Sequence, residues 1–415
     1  MPRKSDTTVK QYKRSQTLVI LIIIGFCIVN IQLVMRLDDH IIGMNDNNNI
    51  NVPQPQQSNP KSNNDNNHLS WIASHSHVSQ AENNFNSTTI NDKGPIIEYF
   101  KLAGVGLDDE SIKLLPTWSQ IQSIIGDEPV IYGLDKCEEY RNNIPPLRRM
   151  LGAAGMFNSG TNLATRLMKD NCAIPERQNE AIRLYDQSKI TKEMLGIRWQ
   201  VPWGKHTPVN FKYIHTAPKN ENITKDDVLP IVTIRNPYDW MRSMCKIPYT
   251  ARWAHQEGGI HGEICPHLVM TKSTSNNKIK VKLRAKLAER WINYDSLAHL
   301  WNDWYGNYWR ESNFPFLIVR LEDLILRQYE TTKIMCNCAG GAVPQPKSFK
   351  FAIDSAKFGP GHGKQEERTN LLKAWTRYSK IEVKSGFSDI DFEASKEFLD
   401  ANLMKMMQYK YPPYE

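Results

Sequence analysis

In three segments of the chain, a short apolar run is followed directly by a polar turn and a helical pattern. Residues 150–157 (MLGAAGMF) precede apolar positions at helical spacing in 161–171, and residues 228–234 (VLPIVTI) precede a segment in which Pro237 suits a first helical turn. Residues 314–321 (FPFLIVRL) form a third such run. Alternating buried strands and helices predict an α/β fold with a central parallel sheet and helices on both faces.

This pattern defines the predicted main domain, which covers residues 149–415. Residues 94–148 are predicted to form a lead-in segment to which we assign no chemistry. Within the main domain, apolar and aromatic residues recur through 282–309, and we predict one long amphipathic helix there.

An apolar run lies near the start of the chain, at residues 18–35, where only Asn30 and Gln32 are clearly polar. A helix of this length rises ~27 Å, close to the hydrocarbon thickness of a bilayer. Basic residues precede the run, which predicts a cytosolic tail over 1–17 and a single-pass type II anchor. A cleaved signal peptide is the alternative, although no small-residue cleavage site follows. The Asn-rich composition of 36–93 predicts a flexible stem.

The net charge does not indicate a nucleic-acid-binding surface. The chain carries a net charge of +8, and residues 1–36 hold six Lys or Arg and one Asp, so +5 of this charge belongs to the predicted anchor region. The remaining +3 is small for a domain of this size. No nucleic-acid partner is therefore predicted, and any basic site must be local.

Cysteine usage agrees with a domain in an oxidising lumen. Cys27 lies in the predicted anchor, which leaves six cysteines and fifteen ways to form three disulfides. We predict a Cys245–Cys265 bridge, and separate partners for Cys336 and Cys338. Two N-glycosylation sequons fit the same compartment, at Asn86 and Asn222.

Histidines near one of these cysteines raise the alternative of a zinc site. His261, Cys265 and His267 lie close together in the sequence, but their spacing is irregular. A lumenal cysteine is more often part of a disulfide, so we predict no metal.

The turn after the first strand is rich in small and polar residues, reading GMFNSGTN over 155–162. A Gly-rich turn at a helix start presents backbone N–H groups to a phosphate-like anion. Gly160 lets the backbone approach closely, and Ser159, Thr161 and Asn162 can add donors. The two glycines have Walker A spacing, but Thr161 replaces the Walker lysine, which disfavours a kinase or ATPase. A plain strand–helix turn is the alternative.

The second strand leads into Arg235, at the sheet edge where ligands bind in open α/β folds. Ser243 follows eight residues later, on the helix that begins near Pro237. An arginine can form a bidentate pair with a phosphate, and a serine hydroxyl can donate to the same group. The pattern predicts a second anion site, with a loop-capping arginine and a solvent-facing serine as the alternative.

Together these two segments resemble the PAPS-dependent sulfotransferases, and with the predicted anchor and stem they are most similar to the Golgi membrane-bound branch. GMFNSGTNL (155–163) looks like the family loop that holds the 5′-phosphosulfate of 3′-phosphoadenosine 5′-phosphosulfate (PAPS). RNPYDWMRS (235–243) looks like the element that holds its 3′-phosphate, and LIVRLEDLI (317–325) resembles a later strand and turn. The resemblance covers roughly 150–380 and implies a three-layer P-loop-like sulfotransferase fold.

The resemblance also implies which residues contact PAPS as co-substrate, without a metal. For the 5′ end these are Asn158, Ser159, Gly160, Thr161 and Asn162, and for the 3′-phosphate they are Arg235 and Ser243. A Gly-rich basic turn at 357–364 resembles a C-terminal family loop that adds contacts to the same phosphate, which implies Lys357, Gly359 and Lys364.

One position departs from the family pattern. Asn158 stands where the family usually has a Lys or Arg that stabilises charge on the bridging oxygen. An asparagine donates a hydrogen bond but supplies no full charge, so another cation would have to substitute. Lys205 and Lys212 are the nearest candidates in sequence.

The acceptor hydroxyl requires a general base within hydrogen-bond reach. We favour His206, in a Trp/Pro/Gly-rich loop next to Lys205, and keep His215, which is nearer the usual family spacing. Three carboxylates could also act as the general base, namely Glu180, Glu193 and Glu322.

The resemblance and the predicted compartment imply sulfuryl transfer to a hydroxyl on a glycan or glycoprotein in the Golgi lumen. The alternatives are sulfation of a tyrosine, a lumenal glycosyltransferase, and a PAPS-binding relative with little or no activity. The chain's only Asp-x-Asp pattern, Asp389 to Asp391, lies far from both motifs and disfavours a metal-dependent glycosyltransferase. Asn158 keeps the inactive relative open.

Overall fold

The computed structural model describes residues 87–214, 223–254, 265–272, 275–356, 369–378 and 387–411. The predicted cytosolic tail, the predicted membrane anchor and most of the predicted stem lie outside these residues. Across the described ranges, no helix is both long enough and apolar enough to cross a bilayer.

A five-stranded sheet forms the centre of the described domain. Its strands are β1 (Ile131–Tyr132), β2 (Met150–Gly155), β3 (Ile197–Arg198), β4 (Val228–Ile234) and β10 (Leu317–Arg320). The strand order is β1–β10–β4–β2–β3; β1 pairs antiparallel at one edge and the other pairs are parallel. This confirms the predicted α/β class with a central sheet, which is parallel as predicted except at β1.

Helices and strands alternate along the chain, and a pair of smaller sheets follows β4. The smaller sheets contain β5 (Ala251–Trp253), β8 (Leu283–Leu287) and β9 (Arg290–Tyr294), and β6 (Val269–Lys272) and β7 (Ser275–Lys280). The described helices are α1 (Ser87–Leu102), α2 (Asp109–Leu114), α3 (Trp118–Ile125), α4 (Cys137–Asn143), α5 (Thr161–Asn171), α6 (Pro175–Leu184), α7 (Pro237–Lys246), α8 (Leu297–Trp309), α9 (Leu321–Leu326), α10 (Gln328–Cys338), α11 (Leu371–Tyr378), α12 (Asp389–Phe398) and α13 (Ala401–Met406).

Both faces of the central sheet are buried. On β4, Ile231 joins a core with Leu167 of α5, whereas Val232 joins the opposite core with Trp240 of α7 and Trp301 of α8. Successive side chains of a strand point to opposite faces, so a strand buried on both sides needs apolar residues at nearly every position. This requirement explains the continuous apolar runs in β2, β4 and β10.

Residues 94–148 are integral to this architecture. They supply the edge strand β1, and Phe100 of α1 packs edge-on against Trp375 of α11 at a centroid distance of 5.7 Å. Cys137 of α4 forms a disulfide with Cys338 of α10. Helix α1 also continues across position 93, the predicted boundary between stem and lead-in.

The prediction of one helix over 282–309 is wrong in its first half, where β8 and β9 form a hairpin. In β8, Leu283, Ala285 and Leu287 are buried and alternate with exposed or half-buried basic residues, the period of a strand. Ala288 and Glu289 adopt positive φ angles of 50° and 63° in the two-residue turn, as hairpins of this type require. The helical part is limited to α8.

All six cysteines outside the predicted anchor are paired. The predicted Cys245–Cys265 bridge is confirmed. Separate partners for the two neighbouring cysteines are also confirmed, since Cys336 pairs with Cys172 and Cys338 pairs with Cys137.

Candidate functional site

A tight loop joins the C-terminal end of β2 to the N-terminus of α5. Asn158 and Gly160 have positive φ angles of 62° and 94°, and a Cβ at Gly160 would overlap the Leu321 side chain. The first intrahelical bond of α5 runs from the Ala164 N–H to the Gly160 carbonyl. The backbone N–H groups of 161–163 precede that bond and have no carbonyl within the helix to bind, which makes this helix end suited to an anion.

The Ser159 hydroxyl lies on the inner side of this loop. It is fully buried, donates to the Met156 carbonyl at 2.7 Å and lies 2.9 Å from Thr233 Oγ1 of β4. Its side chain therefore fixes the loop to the sheet. Ser159 was predicted as a ligand to the 5′ end, and its hydroxyl is turned towards the sheet because the short loop must close over β4.

Arg235 and Ser243 lie together, directly beside the loop. Arg235 Nη1 donates to Ser243 Oγ at 2.7 Å and to the Asn158 carbonyl at 3.3 Å. Arg235 is 5% exposed, and its Nε and Nη2 atoms are buried without a hydrogen-bond partner among the residues that the structure describes. Asp239 Oδ1 lies 4.0 Å from Nη2, beyond hydrogen-bond distance. Buried N–H groups of a charged side chain are costly when unsatisfied, so these two donors fit an anionic ligand.

Lys205 supplies a cation at the start of α5. Its Nζ donates to Asn162 Oδ1 at 2.8 Å and lies 3.3 Å from the centroid of the Trp199 ring. Burial, together with the smaller effect of the nearby charge of Lys169, lowers the pKa of Lys205 to about 7. Lys205 is thus close to the loop that lacks a basic residue at Asn158.

Lys212, the other candidate cation, is engaged elsewhere. Its Nζ forms an ion pair with Asp226 Oδ1 at 2.7 Å and lies 3.5 Å from the centroid of Phe314. Of the two candidates, Lys205 is therefore the one that contacts the loop.

His206 lies beside the loop with a defined orientation. Its Nδ1 is 2.7 Å from the Gly155 carbonyl, which can only accept, so Nδ1 carries the proton and Nε2 is left as an acceptor. The pKa of His206 is lowered to about 4, mainly by burial and to a smaller extent by the charge of Lys205, against the opposing effect of the bond to Gly155. The imidazole is therefore neutral at pH 7. Its ring also contacts Phe157, with centroids 4.5 Å apart.

The loop, the start of α5, His206 and Arg235 line one cleft of about 600 Å³. Several residues that line it are not predicted from the sequence, including Tyr249, whose ring stacks on Phe157 with centroids 4.9 Å apart. Stacking between residues so distant in sequence has no local signal. The residues that line the cleft include Phe157, Asn158, Gly160, Thr161, Asn162, His206, Arg235, Lys246, Tyr249, Asn370 and Ala374.

A second cavity, of about 700 Å³, shares Lys246 with this cleft but is lined by neither the loop nor Arg235. Its basic residues include Arg242, Lys373 and Arg377. We therefore place the candidate site in the smaller cleft, which holds the geometry described above.

The remaining candidates are four residues outside the described ranges and three glutamates that do not line the cleft. His215, Lys357, Gly359 and Lys364 lie outside the described residues. Glu180 is paired with Arg183 on α6, and Glu193 precedes β3. Glu322 is buried; it accepts from the Asn236 N–H at 3.1 Å and from the Tyr409 hydroxyl at 3.0 Å, and so fixes the turn after β4.

Within the described part of the chain, no group of three or more His, Cys, Asp or Glu residues has an arrangement that could hold a metal ion. No family model, curated protein or solved structure matches this chain.

Proposed function

We propose that this chain is a PAPS-dependent sulfotransferase that transfers a sulfuryl group to an acceptor hydroxyl. The observation that carries the proposal is the contact between Arg235 and Ser243 beside the loop that opens α5. A helix N-terminus and a guanidinium thereby share one cleft, as a ligand with two anionic ends requires. The finer fold assignment, a three-layer P-loop-like sulfotransferase domain, is part of the same proposal.

The residues present fit the nucleotide. Nε and Nη2 of Arg235 are buried donors that no described residue pairs with, and a 3′-phosphate would satisfy both. The N–H groups at the start of α5, with Thr161 and Asn162, would hold the 5′-phosphosulfate end. PAPS supplies an activated sulfuryl group, which passes to the acceptor oxygen while 3′-phosphoadenosine 5′-phosphate leaves.

Lys205 and His206 have the positions that the chemistry needs. The Lys205 ammonium, bonded to Asn162, would stabilise negative charge that develops at the start of α5. His206 Nε2 would accept the proton of the acceptor hydroxyl, with Nδ1 held by the Gly155 carbonyl. A base with a pKa of about 4 is weak. Proton transfer would therefore accompany formation of the new oxygen–sulfur bond.

Asn158 does not take the role of the missing basic residue. Its Nδ2 donates to the Ile247 carbonyl at 3.1 Å, a contact that ties the loop to the segment after α7. Under this proposal, Lys205 supplies the positive charge that a basic residue at position 158 would otherwise provide. The acceptor class, a glycan or glycoprotein, and the site of action, the Golgi lumen on a type II membrane anchor, belong to the proposal as inferences from the sequence.

Transfer of label from sulfur-labelled PAPS to a panel of glycans tests the proposal directly. We expect transfer by the wild type and its loss in the Arg235→Ala variant, because the variant lacks both unpartnered donors. Arg183→Ala removes an arginine from the surface pair on α6 and is the matched control. Transfer that survives Arg235→Ala unchanged would refute the site. Tight PAPS binding without transfer to any acceptor would identify an inactive relative.

A further inference from the structure

The exposed face of the small sheet β5–β8–β9 is rich in basic residues. Its register aligns Arg252 with Arg284 and Arg284 with Asn293, and aligns Lys286 with Trp291. Directly opposed residues share a face, and Arg252, Arg284, Trp291 and Asn293 are exposed. Together with Lys286, these four residues form a surface that we call the basic face. The three strands contain no Asp or Glu.

Two cations oppose each other on this face. Arg252 and Arg284 are direct cross-strand neighbours, an arrangement that destabilises a sheet when no anion lies between the charges. Lys286 has a carboxylate partner, Glu289, in the turn of the hairpin. No carboxylate of the described residues forms an ion pair with either arginine, so the pair gives this face a positive centre that favours a negatively charged ligand.

Trp291 gives the face an aromatic platform. The residue is 50% exposed, and the Arg284 guanidinium lies 4.9 Å from the centroid of its ring. An aromatic ring beside cations suits a ligand that has both apolar ring faces and anionic groups. Sugar rings with sulfate or carboxylate groups have this combination, whereas an acidic peptide needs only the charges.

The basic face is joined to the candidate cleft. Arg252 Nη1 donates to the Tyr249 carbonyl at 3.3 Å, and the Tyr249 ring stacks on Phe157 in the cleft wall. The Thr250 hydroxyl donates to the Lys286 carbonyl at 2.7 Å, which holds β8 to the same segment. The segment from Tyr249 to Arg252 therefore connects the basic face directly to a residue that lines the cleft.

We propose that the basic face binds an anionic glycan chain and that this chain is the acceptor whose hydroxyl enters the cleft. The inference rests on the proposed function and deepens it, because it names the substrate class. Binding should weaken with salt, since exposed charges are screened over about 8 Å at physiological ionic strength.

Equilibrium binding of heparin at physiological salt tests this surface. The face variant carries Arg252→Gln, Arg284→Gln and Lys286→Gln. The matched control removes the same charge from other elements, with Lys101→Gln, Lys113→Gln and Lys347→Gln, all exposed. We expect the face variant to bind heparin roughly tenfold more weakly, the combined effect of losing three charges near the surface, and the control to match the wild type. Trp291→Ala should weaken heparin binding without changing charge.

The binding of 3′-phosphoadenosine 5′-phosphate is measured on the same proteins and should be equal in the face variant and the wild type. Equal loss of heparin binding in the face and control variants would overturn the inference, because only net charge would then matter. Poly-glutamate binding as tight as heparin binding, and insensitive to Trp291→Ala, would replace the glycan with an acidic peptide. A wild type that binds heparin through the face but does not bind the nucleotide would overturn the proposed function and not the surface.

Discussion

Replacing Arg235 with methionine tests the assignment of the 3′-phosphate. The substitution keeps a side chain of similar length but removes the charge and every N–H donor. Arg235 Nη1 is already bonded to Ser243 and to the Asn158 carbonyl, so the ligand would use Nε and Nη2. These two donors are the ones whose loss the experiment measures.

The structure sets the expected size of the effect. A hydrogen bond that involves a charged group contributes about 1.5–3 kcal/mol. Loss of two such bonds therefore removes about 3–6 kcal/mol, which is roughly a hundredfold or more in affinity. Solvent screening reduces this little, because Arg235 is 5% exposed. Arg235→Lys keeps the charge on a single nitrogen and should fall between the wild type and the methionine variant.

Titration calorimetry with a pair of ligands isolates the interaction. The ligands are 3′-phosphoadenosine 5′-phosphate and adenosine 5′-phosphate, which differ only in the 3′-phosphate. We expect Arg235→Met to weaken binding of the first roughly a hundredfold or more, as derived above, and to leave binding of the second almost unchanged. Melting temperatures of all proteins check that the variants fold.

Arg183→Met is the control, since Arg183 is paired with Glu180 on the surface of α6. If Arg235→Met weakens the binding of both ligands by the same factor, the guanidinium does not contact the 3′-phosphate. Our interpretation of the two unpartnered donors is then refuted.

Three further predictions concern charge, backbone and cross-links. The pKa of Lys205 is lowered to about 7, so its cation disappears as pH rises through that value. The rate of transfer should therefore fall above about pH 7, and Lys205→Arg should remove this decline; a flat wild-type profile from pH 5.5 to 9 would exclude the role. Gly160→Ala should destabilise the fold by about 1–3 kcal/mol in urea denaturation, because φ is +94° and a Cβ would overlap Leu321; unchanged stability would contradict the loop geometry. The Cys137–Cys338 and Cys172–Cys336 bridges are nested, with separations of 201 and 164 residues, so the outer bridge constrains about 37 further residues. Removing the outer bridge should lower the free energy of unfolding by roughly 4 kcal/mol. A loss near zero would contradict the nested pairing.

Local pattern explains where the sequence-based predictions succeeded. The apolar runs that became β2, β4 and β10 are short and bounded by turn residues, so their strand character needs little tertiary information. The error over 282–309 has the same origin. Leu283, Ala285 and Leu287 alternate with basic residues, but a long apolar and aromatic stretch follows, and the helical pattern of α8 was extended too far towards the N-terminus.

The sequence alone determined that Arg235 and Ser243 follow a buried strand and that a Gly-rich turn opens α5, because both features arise within a few residues of one chain segment. Only the tertiary structure decided that Arg235 contacts the carbonyl of Asn158, that Lys205 and not Lys212 contacts the loop, and that the Ser159 hydroxyl faces the sheet. These contacts join segments far apart in sequence, and their geometry depends on how the helices and strands pack. The lowered pKa values of Lys205 and His206 have the same cause, since burial exists only after the domain has folded.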